Sequence, residues 1–218
     1  MAEATDDAGR RVSEGAEAVI RAVDWWGFPA LLKARGVKKY RPKALDERLR
    51  RERTRTEARL LVEARRLGVR TPIIYDLDVE RCQLVLEELP GPTLKTVLQD
   101  PGVPPAALDQ AVRTFGEALG RLHAGRIAHG DLTSSNVLLP DGPTGPVAFL
   151  DLSMGSRNAG VEELGIDLHL VEEDLKALSA RAPSLLRAFH AGYLAGNPTG
   201  AKAVRARAKV IRGRVRYA

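Results

Sequence analysis

The sequence predicts an α+β fold in two lobes, with a small antiparallel sheet and one main helix in the first lobe and a reduced helical second lobe. Two observations support this prediction. Before residue 88, short apolar runs alternate with turn residues around one long arginine-rich helical pattern. After residue 88, apolar residues recur mainly at helical spacing. We therefore assign residues 1–88 to the first lobe and residues 89–218 to the second.

The first two strands are predicted at residues 16–23 and 30–34, around a turn over residues 24–29. Lys33 ends the second strand, where its ammonium can reach a nucleotide phosphate while its stem crosses apolar surface. A lone strand lysine is more commonly a surface residue, so this assignment needs a partner. Gly15 is the one glycine of the preceding turn, which makes a reduced phosphate loop, and we name it as a candidate phosphate contact.

The main helix of the first lobe is predicted at about residues 45–67. Glu57 precedes Leu60 and Leu61 by three and four residues, which places its carboxylate on the buried face. A buried carboxylate needs a partner, and Lys33 of the neighbouring sheet is the expected one. The alternative is a glutamate at the flank of the helix that bends towards solvent.

Two more strands are predicted at residues 73–76 and 82–87, and residues 87–91 then break the sheet. Such a break suits a hinge between lobes, in which the backbone of Glu87 and Leu89 is offered to an adenine ring. The alternative is an ordinary loop between a strand and a helix. In the second lobe, helices are predicted at residues 94–98, 105–124 and about 185–194.

Residues 129–136 form the most informative segment of the chain. Asp131 can accept or orient a hydroxyl proton, and Asn136, five residues later, can fold back towards it. Together with Asp151, these side chains supply the acid and the oxygen ligands by which phosphoryl transfer holds ATP and Mg²⁺. The alternative is a surface hairpin with polar ends.

The link between Asn136 and Asp151 is predicted as a β-hairpin, because apolar runs at residues 137–139 and 147–150 flank a segment dense in Gly and Pro. Its two ends would therefore bring Asn136 and Asp151 together. His129, two residues before the acid, is expected to brace the loop by hydrogen bonding instead of performing acid–base chemistry.

Composition places outer limits on the function. No apolar run approaches the roughly 18 residues that a membrane span requires. The first residues lack the basic and apolar regions of a signal peptide, so we expect a cytoplasmic protein. Cys82 is the single cysteine, which excludes an intrachain disulfide and a cysteine-rich zinc site.

The formal net charge is +6, and basic residues are concentrated in two groups. The first group follows one face of the predicted main helix: Arg48, Arg51, Arg55 and Arg59. The second group ends the chain without an intervening acid: Lys202, Arg205, Arg207, Lys209, Arg212, Arg214 and Arg216. Each is either a solvated face or a surface for a phosphate backbone, and the unbalanced basic end favours nucleic acid.

With these motifs in place, the chain resembles a protein-kinase-like phosphotransferase, and specifically the small atypical kinase subunit of the KEOPS complex. Residues 40–61 are similar to that family's arginine-rich helix, and residues 68–72 with 75–76 continue the match. Residues 14–18 resemble its reduced phosphate loop. The resemblance extends over nearly the whole chain.

The resemblance implies a bilobal serine/threonine kinase or ATPase that binds ATP and Mg²⁺. It also implies a role beside a threonylcarbamoyltransferase subunit in the synthesis of threonylcarbamoyladenosine in tRNA. The family's basic tail, associated with tRNA, corresponds to the region of residues 212–214, and Asp167 matches a buried aspartate that steadies the catalytic loop.

The resemblance further implies roles for the site residues. Lys33 would contact the phosphates and Glu57 would position it. Asp131 would be the catalytic acid–base, and Asn136 and Asp151 would hold the magnesium.

Two departures from common kinases bear on activity. Ser153 replaces the usual glycine of the metal-binding triplet, which restricts the backbone and predicts either a site held in one conformation or slow turnover. About 15 residues separate Asp151 from Asp167, too few for a long activation loop. Two alternatives remain: a small-molecule phosphotransferase of the aminoglycoside or choline kinase type, and a non-catalytic scaffold that binds tRNA and a partner enzyme.

Overall fold

The first lobe is built on a five-stranded antiparallel sheet. The structure, a computed structural model, describes residues 11–14 and 18–215. The strands are β1 (Arg11–Glu14), β2 (Val19–Trp25), β3 (Phe28–Ala34), β4 (Ile74–Asp78) and β5 (Gln83–Glu87), in the order β1-β2-β3-β5-β4. β2 to β5 lie where the sequence predicts strands, whereas β1 includes residues 13 and 14, which the sequence assigns to a turn.

The hairpin between β2 and β3 closes more tightly than the sequence predicts. The last pair of the ladder joins Trp25 to Phe28, so the turn is reduced to Trp26 and Gly27. Both residues have positive φ angles, 56° and 84°, as in the two-residue turns that match the twist of paired strands. The Asp24 carboxylate accepts a 2.8 Å hydrogen bond from the Gly27 amide and stabilises the turn.

The main helix of the first lobe, α1 (Lys43–Arg66), contacts β4 and β5. Pro42 precedes its first turn, where the missing N–H costs nothing. Leu60 and Leu61 are buried together with Glu57, as the helical spacing predicts. The opposite face carries the arginines, so α1 presents a carboxylate to the sheet and positive charge to solvent.

The second lobe contains five helices within the described residues: α2 (Leu94–Gln99), α3 (Pro105–Ala124), α4 (Val161–Leu178), α5 (Ala182–Gly196) and α6 (Ala201–Val215). α3 and α5 approach closely because glycines line their contact. A Cβ at Gly120 would lie 2.6 Å from the Tyr193 carbonyl oxygen and 2.8 Å from the Gly196 Cα. Phe115 of α3 fills the centre, 5.3 Å from the Phe189 ring of α5.

The helices α4 and α6 were not among the helices predicted from the sequence, and α6 contains most of the basic group that ends the chain. Ala201, Val204 and Ala208 form its buried stripe, and α6 packs on α4. These side chains are small, and the surrounding arginines and lysines obscure their periodicity. Among the described residues, no helix has the length and apolar character needed to cross a bilayer.

Four short strands and one helical turn shape the segment around residues 127–157. They are β6 (Ile127–Ala128), a 3₁₀ turn (Ser134–Asn136), β7 (Val137–Leu138), β8 (Ala148–Phe149) and β9 (Ser156–Arg157). β7 and β8 form the predicted hairpin, and β6 pairs with β9. Residues 129–136 and Asp151 lie beside these short strands, and Asp151 faces Lys33 across the cleft.

Candidate active site

Lys33 links the two lobes. Its Nζ lies 2.6 Å from Oε1 of Glu57 in α1 and 2.9 Å from Oδ1 of Asp151 in the second lobe. The Lys33 side chain is 6% exposed and that of Glu57 1% exposed. Burial of the lysine costs several kcal/mol of desolvation, which two carboxylates at this distance offset. The structure thus contains the Lys33–Glu57 pair that the helical spacing predicts.

Asp151 follows β8 and has a positive φ of 51°. Burial acts to raise the pKa of its carboxyl group, but the charge of Lys33 and hydrogen bonds from Ser153 and Lys33 outweigh it and lower that pKa to about 2. Its side chain remains 37% exposed. Asp151 is therefore an ionised carboxylate with access to the cleft, which is what a cation ligand requires.

The loop that carries Asp131 is held from below by Asp167 of α4. Its two carboxylate oxygens accept hydrogen bonds from the backbone amides of His129, at 2.6 Å, and Gly130, at 2.9 Å. His123 lies 3.3 Å away from the same carboxylate. Burial acts to raise the pKa of Asp167, but the hydrogen bond and charge of His123 and the loop amide lower it overall. An anion is thus fixed beneath the turn, as the resemblance implies.

His129 is fully buried and braces the loop. Its Nε2 lies 2.9 Å from the carbonyl oxygen of Leu150, the residue before Asp151. Burial lowers the pKa of the imidazole, and the nearby carboxylates Asp167, Asp151 and Asp131 only partly oppose this. A neutral, buried ring suits a structural hydrogen bond, which agrees with the role expected from the sequence.

Asn136 connects the acid to the metal side of the site. Its Nδ2 donates a 2.8 Å hydrogen bond to the backbone carbonyl of Asp131, and its backbone carbonyl accepts one of 2.9 Å from the Leu150 amide. The amide nitrogen is engaged in this way, which leaves Oδ1 as the atom that can coordinate a cation. Asp131 itself is exposed at the surface of the loop.

The oxygen donors Asp151 and Asn136 fit Mg²⁺, a hard cation that commonly takes one or two protein ligands and completes its shell with waters and phosphates. Among the residues that the structure describes, no group of three or more His, Cys, Asp or Glu side chains is arranged to hold a metal. Two protein oxygens would leave the rest of the Mg²⁺ shell to waters and phosphates.

Two further residues were predicted to contact the adenine ring through their backbone. The Glu87 amide donates to the Ile73 carbonyl at 2.8 Å, and its side chain accepts from the Ile73 amide at 3.0 Å. Glu87 is thus held at the edge of the connection between the lobes, and its contact with an adenine ring stays a prediction. Leu89 follows in the partly buried connection between the lobes. Gly15 lies outside the described residues.

Sequence reasoning missed Arg35. Its side chain is 2% exposed and its Nη2 bonds to Oε2 of Glu57, opposite the oxygen that Lys33 contacts. The available signal was its position two residues after Lys33, directly after the end of β3, where extended backbone keeps both side chains on one face.

The basic end of the chain is partly neutralised within the protein, which the sequence did not indicate. Arg207 bonds to Glu162 of α4, and Arg212 bonds to Glu172. The hydrogen bond from Arg207 lowers the pKa of Glu162. Three exposed cations of α6 make no ion pair within the described part of the chain: Lys202, Arg205 and Lys209.

Comparison with known proteins extends this picture. The sequence model of the lipopolysaccharide kinase (Kdo/WaaP) family matches residues 13–178. A probable bifunctional tRNA threonylcarbamoyladenosine biosynthesis protein of Methanoculleus marisnigri is 40% identical over 206 residues, 94% of this chain and 36% of its own length. Its counterpart in Methanosarcina mazei is 39% identical over 212 residues, 96% of this chain and 36% of its own length. The chain thus spans about a third of these relatives.

A solved structure shows the same fold. The Rio2 kinase-ADP/Mg²⁺-phosphoaspartate complex from Chaetomium thermophilum matches with a TM-score of 0.63 and 15% sequence identity, covering 96% of this chain and 71% of that one. At this identity the likeness concerns the bilobal kinase fold alone.

Proposed function

Because the chain belongs to the lipopolysaccharide kinase (Kdo/WaaP) family, we propose that it is an ATP-dependent phosphotransferase, an atypical serine/threonine kinase or ATPase that serves threonylcarbamoyladenosine synthesis in tRNA. The tRNA role is supported by relatives of that name that are about 40% identical over nearly the whole chain.

One observation carries the enzymatic part of the proposal. A buried lysine from the sheet, Lys33, lies 2.9 Å from Asp151. The amide of Leu150, next to Asp151, donates a hydrogen bond to the Asn136 backbone carbonyl, and the Asn136 side chain donates one to the Asp131 backbone carbonyl. Lys33 and the three oxygen-bearing residues thus belong to one connected network across the two lobes. This combination is what phosphoryl transfer needs, because its catalysis consists largely of positioning and charge stabilisation.

We assign a role to each residue of the network. Lys33 binds phosphate oxygens, and Glu57 orients its ammonium. Asp131 orients the attacking hydroxyl or water and accepts its proton. Asp151 and the Asn136 amide oxygen would hold Mg²⁺, which when bound neutralises phosphate charge.

The proposed partners are a threonylcarbamoyltransferase and tRNA. The relatives are named bifunctional and are about three times as long as the part that matches this chain, so we infer that their second activity accompanies the kinase. For tRNA, the exposed cations of α6 and the arginine face of α1 provide positive charge that can neutralise backbone phosphates.

The test is Mg²⁺-dependent ATP hydrolysis by the purified protein, with and without tRNA. We expect turnover by the wild type and a loss of about 100-fold or more in Asp131→Asn, because the proton acceptor is removed. Asp141→Asn is the matched control, since Asp141 is an exposed carboxylate of the second lobe that pairs with Arg70. A wild type that binds nucleotide and tRNA but does not hydrolyse ATP in either condition would contradict the enzymatic proposal and favour a scaffold.

A further inference from the structure

Glu57 is held by two buried cations instead of one. Lys33 Nζ contacts Oε1 at 2.6 Å, and Arg35 Nη2 contacts Oε2. The three side chains are 6%, 2% and 1% exposed for Lys33, Arg35 and Glu57. One lysine would already neutralise this glutamate, so the desolvation of a second cation needs a separate explanation.

The charges of the cleft provide that explanation. Two cations, Lys33 and Arg35, face two carboxylates, Glu57 and Asp151, and Lys33 contacts both carboxylates. A nucleotide that engages Lys33 shares its ammonium with the phosphates, so less of that positive charge is left for the two carboxylates. Asp151 would then be neutralised by the Mg²⁺ of the proposed site. Glu57 is buried, so water cannot replace the charge that it loses. A buried charge left without a partner is strongly unfavourable.

We propose that Arg35 is a positioning residue that keeps Glu57 neutralised and fixed while Lys33 turns towards the phosphates. This inference rests on the function proposed above. Arg35 acts through Glu57, so it is not a catalytic residue.

The surroundings of Arg35 suit this role. Its amide donates to the Cys82 carbonyl at 3.1 Å, which continues the pairing of β3 with β5. Its carbonyl lies 3.4 Å from Nη1 of Arg50, and Arg50 is itself held by Asp46 at 2.8 Å. Glu57 is the one carboxylate in salt-bridge contact with Arg35 among the described residues. The backbone of Arg35 is thus held in place, and its guanidinium is positioned to neutralise Glu57.

The test is a double-mutant cycle on Arg35→Met and Glu57→Gln, with kcat and KM for ATP and the affinity for trinitrophenyl-ATP as readouts. Arg35→Met should lower kcat about tenfold or more. The stoichiometry of trinitrophenyl-ATP binding should stay unchanged, and its affinity should stay within about threefold of wild type. Arg35→Lys should restore part of the rate. Because a neutral glutamine needs no second cation, the double variant should be no slower than Glu57→Gln alone.

The matched control is Arg81→Met, which removes an exposed guanidinium of the first lobe that pairs with Asp78 and should leave the rate unchanged. A folded Arg35→Met with wild-type kcat would overturn the inference. A double variant whose kcat falls by the product of the two single-variant fold losses would overturn it too. If Arg35→Met does not fold, Arg35→Lys with and without Glu57→Gln gives the same comparison. An inactive wild type would instead overturn the proposed function.

Discussion

Asp151 shows how single residues serve both stability and the proposed chemistry. Its carboxylate neutralises Lys33 across the cleft, and its pKa of about 2 keeps it ionised at neutral pH. Asp151 follows β8 with a positive φ angle, and its side chain is partly exposed. His129, neutral and buried, ties the neighbouring backbone to the catalytic loop. Ionised groups thus face the cleft, whereas the neutral ring lies behind them.

At the same scale, Asp167→Asn should destabilise the protein. The carboxylate accepts amide hydrogen bonds from His129 and Gly130, one on each oxygen, and an asparagine can accept only one of them. We expect a loss of about 2–3 kcal/mol in the free energy of unfolding at pH 7, measured by urea denaturation.

The pH dependence follows from the lowered pKa of Asp167 in the folded state. Its contribution is complete above the ordinary value of 3.8 and is lost as the pH falls through the lower folded value, so the two proteins should converge in acid. Asp76→Asn, at an exposed position of β4, is the control. Equal stability of wild type and Asp167→Asn at pH 7 would contradict the role of Asp167.

At the scale of elements, patterns that depend on nearby residues were predictable. The bounds of α3 agree with the sequence prediction, and so does the hairpin that joins Asn136 to Asp151. The stripe of α6 was missed because its small apolar residues are recognised as buried only when α4 packs on them. Arg35 was missed because its partner, Glu57, lies on another element. The spacing from Lys33 indicates which face Arg35 shares, but it does not identify that partner.

The contact between α3 and α5 yields a prediction about packing. A Cβ at Gly192 would collide with the Arg113 carbonyl of α3, so Gly192→Ala should force the helices apart. We expect a destabilisation of about 1–3 kcal/mol, measured by urea denaturation. Gly213→Ala is the matched control, because nothing lies within 4 Å of a Cβ there. It should be neutral or slightly stabilising, since alanine favours helix. A neutral Gly192→Ala would contradict the close approach of α3 and α5.

At the scale of the whole molecule, charge is arranged in two zones. Opposite charges balance in the buried network between the lobes, around Lys33 and Glu57. Within the described residues, positive charge without an ion-pair partner lies outside, on α6, where Glu162 and Glu172 neutralise only some of the arginines. The basic composition seen in the sequence therefore overstates the free positive charge of this helix.

This arrangement predicts which cations contact tRNA. Replacement of Lys202, Arg205 and Lys209 by glutamine should weaken tRNA binding and reduce the slope of log K against log salt by about 2. Arg207→Gln, at a position already neutralised by Glu162, should change the slope much less. Filter binding over a range of salt concentrations measures both. Equal slopes for the triple variant and the wild type would exclude α6 as the tRNA contact.

We propose that side chains from both lobes form one nucleotide site. The most direct test is the Mg²⁺-dependent ATPase rate of Asp151→Ala across a magnesium titration. Far-ultraviolet circular dichroism should confirm that the variant is folded. We expect Asp151→Ala to abolish turnover at every magnesium concentration. Asp141→Ala, in the exposed turn of the same hairpin, should retain the wild-type rate. A folded Asp151→Ala protein with wild-type turnover would contradict a nucleotide site that is shared by the two lobes.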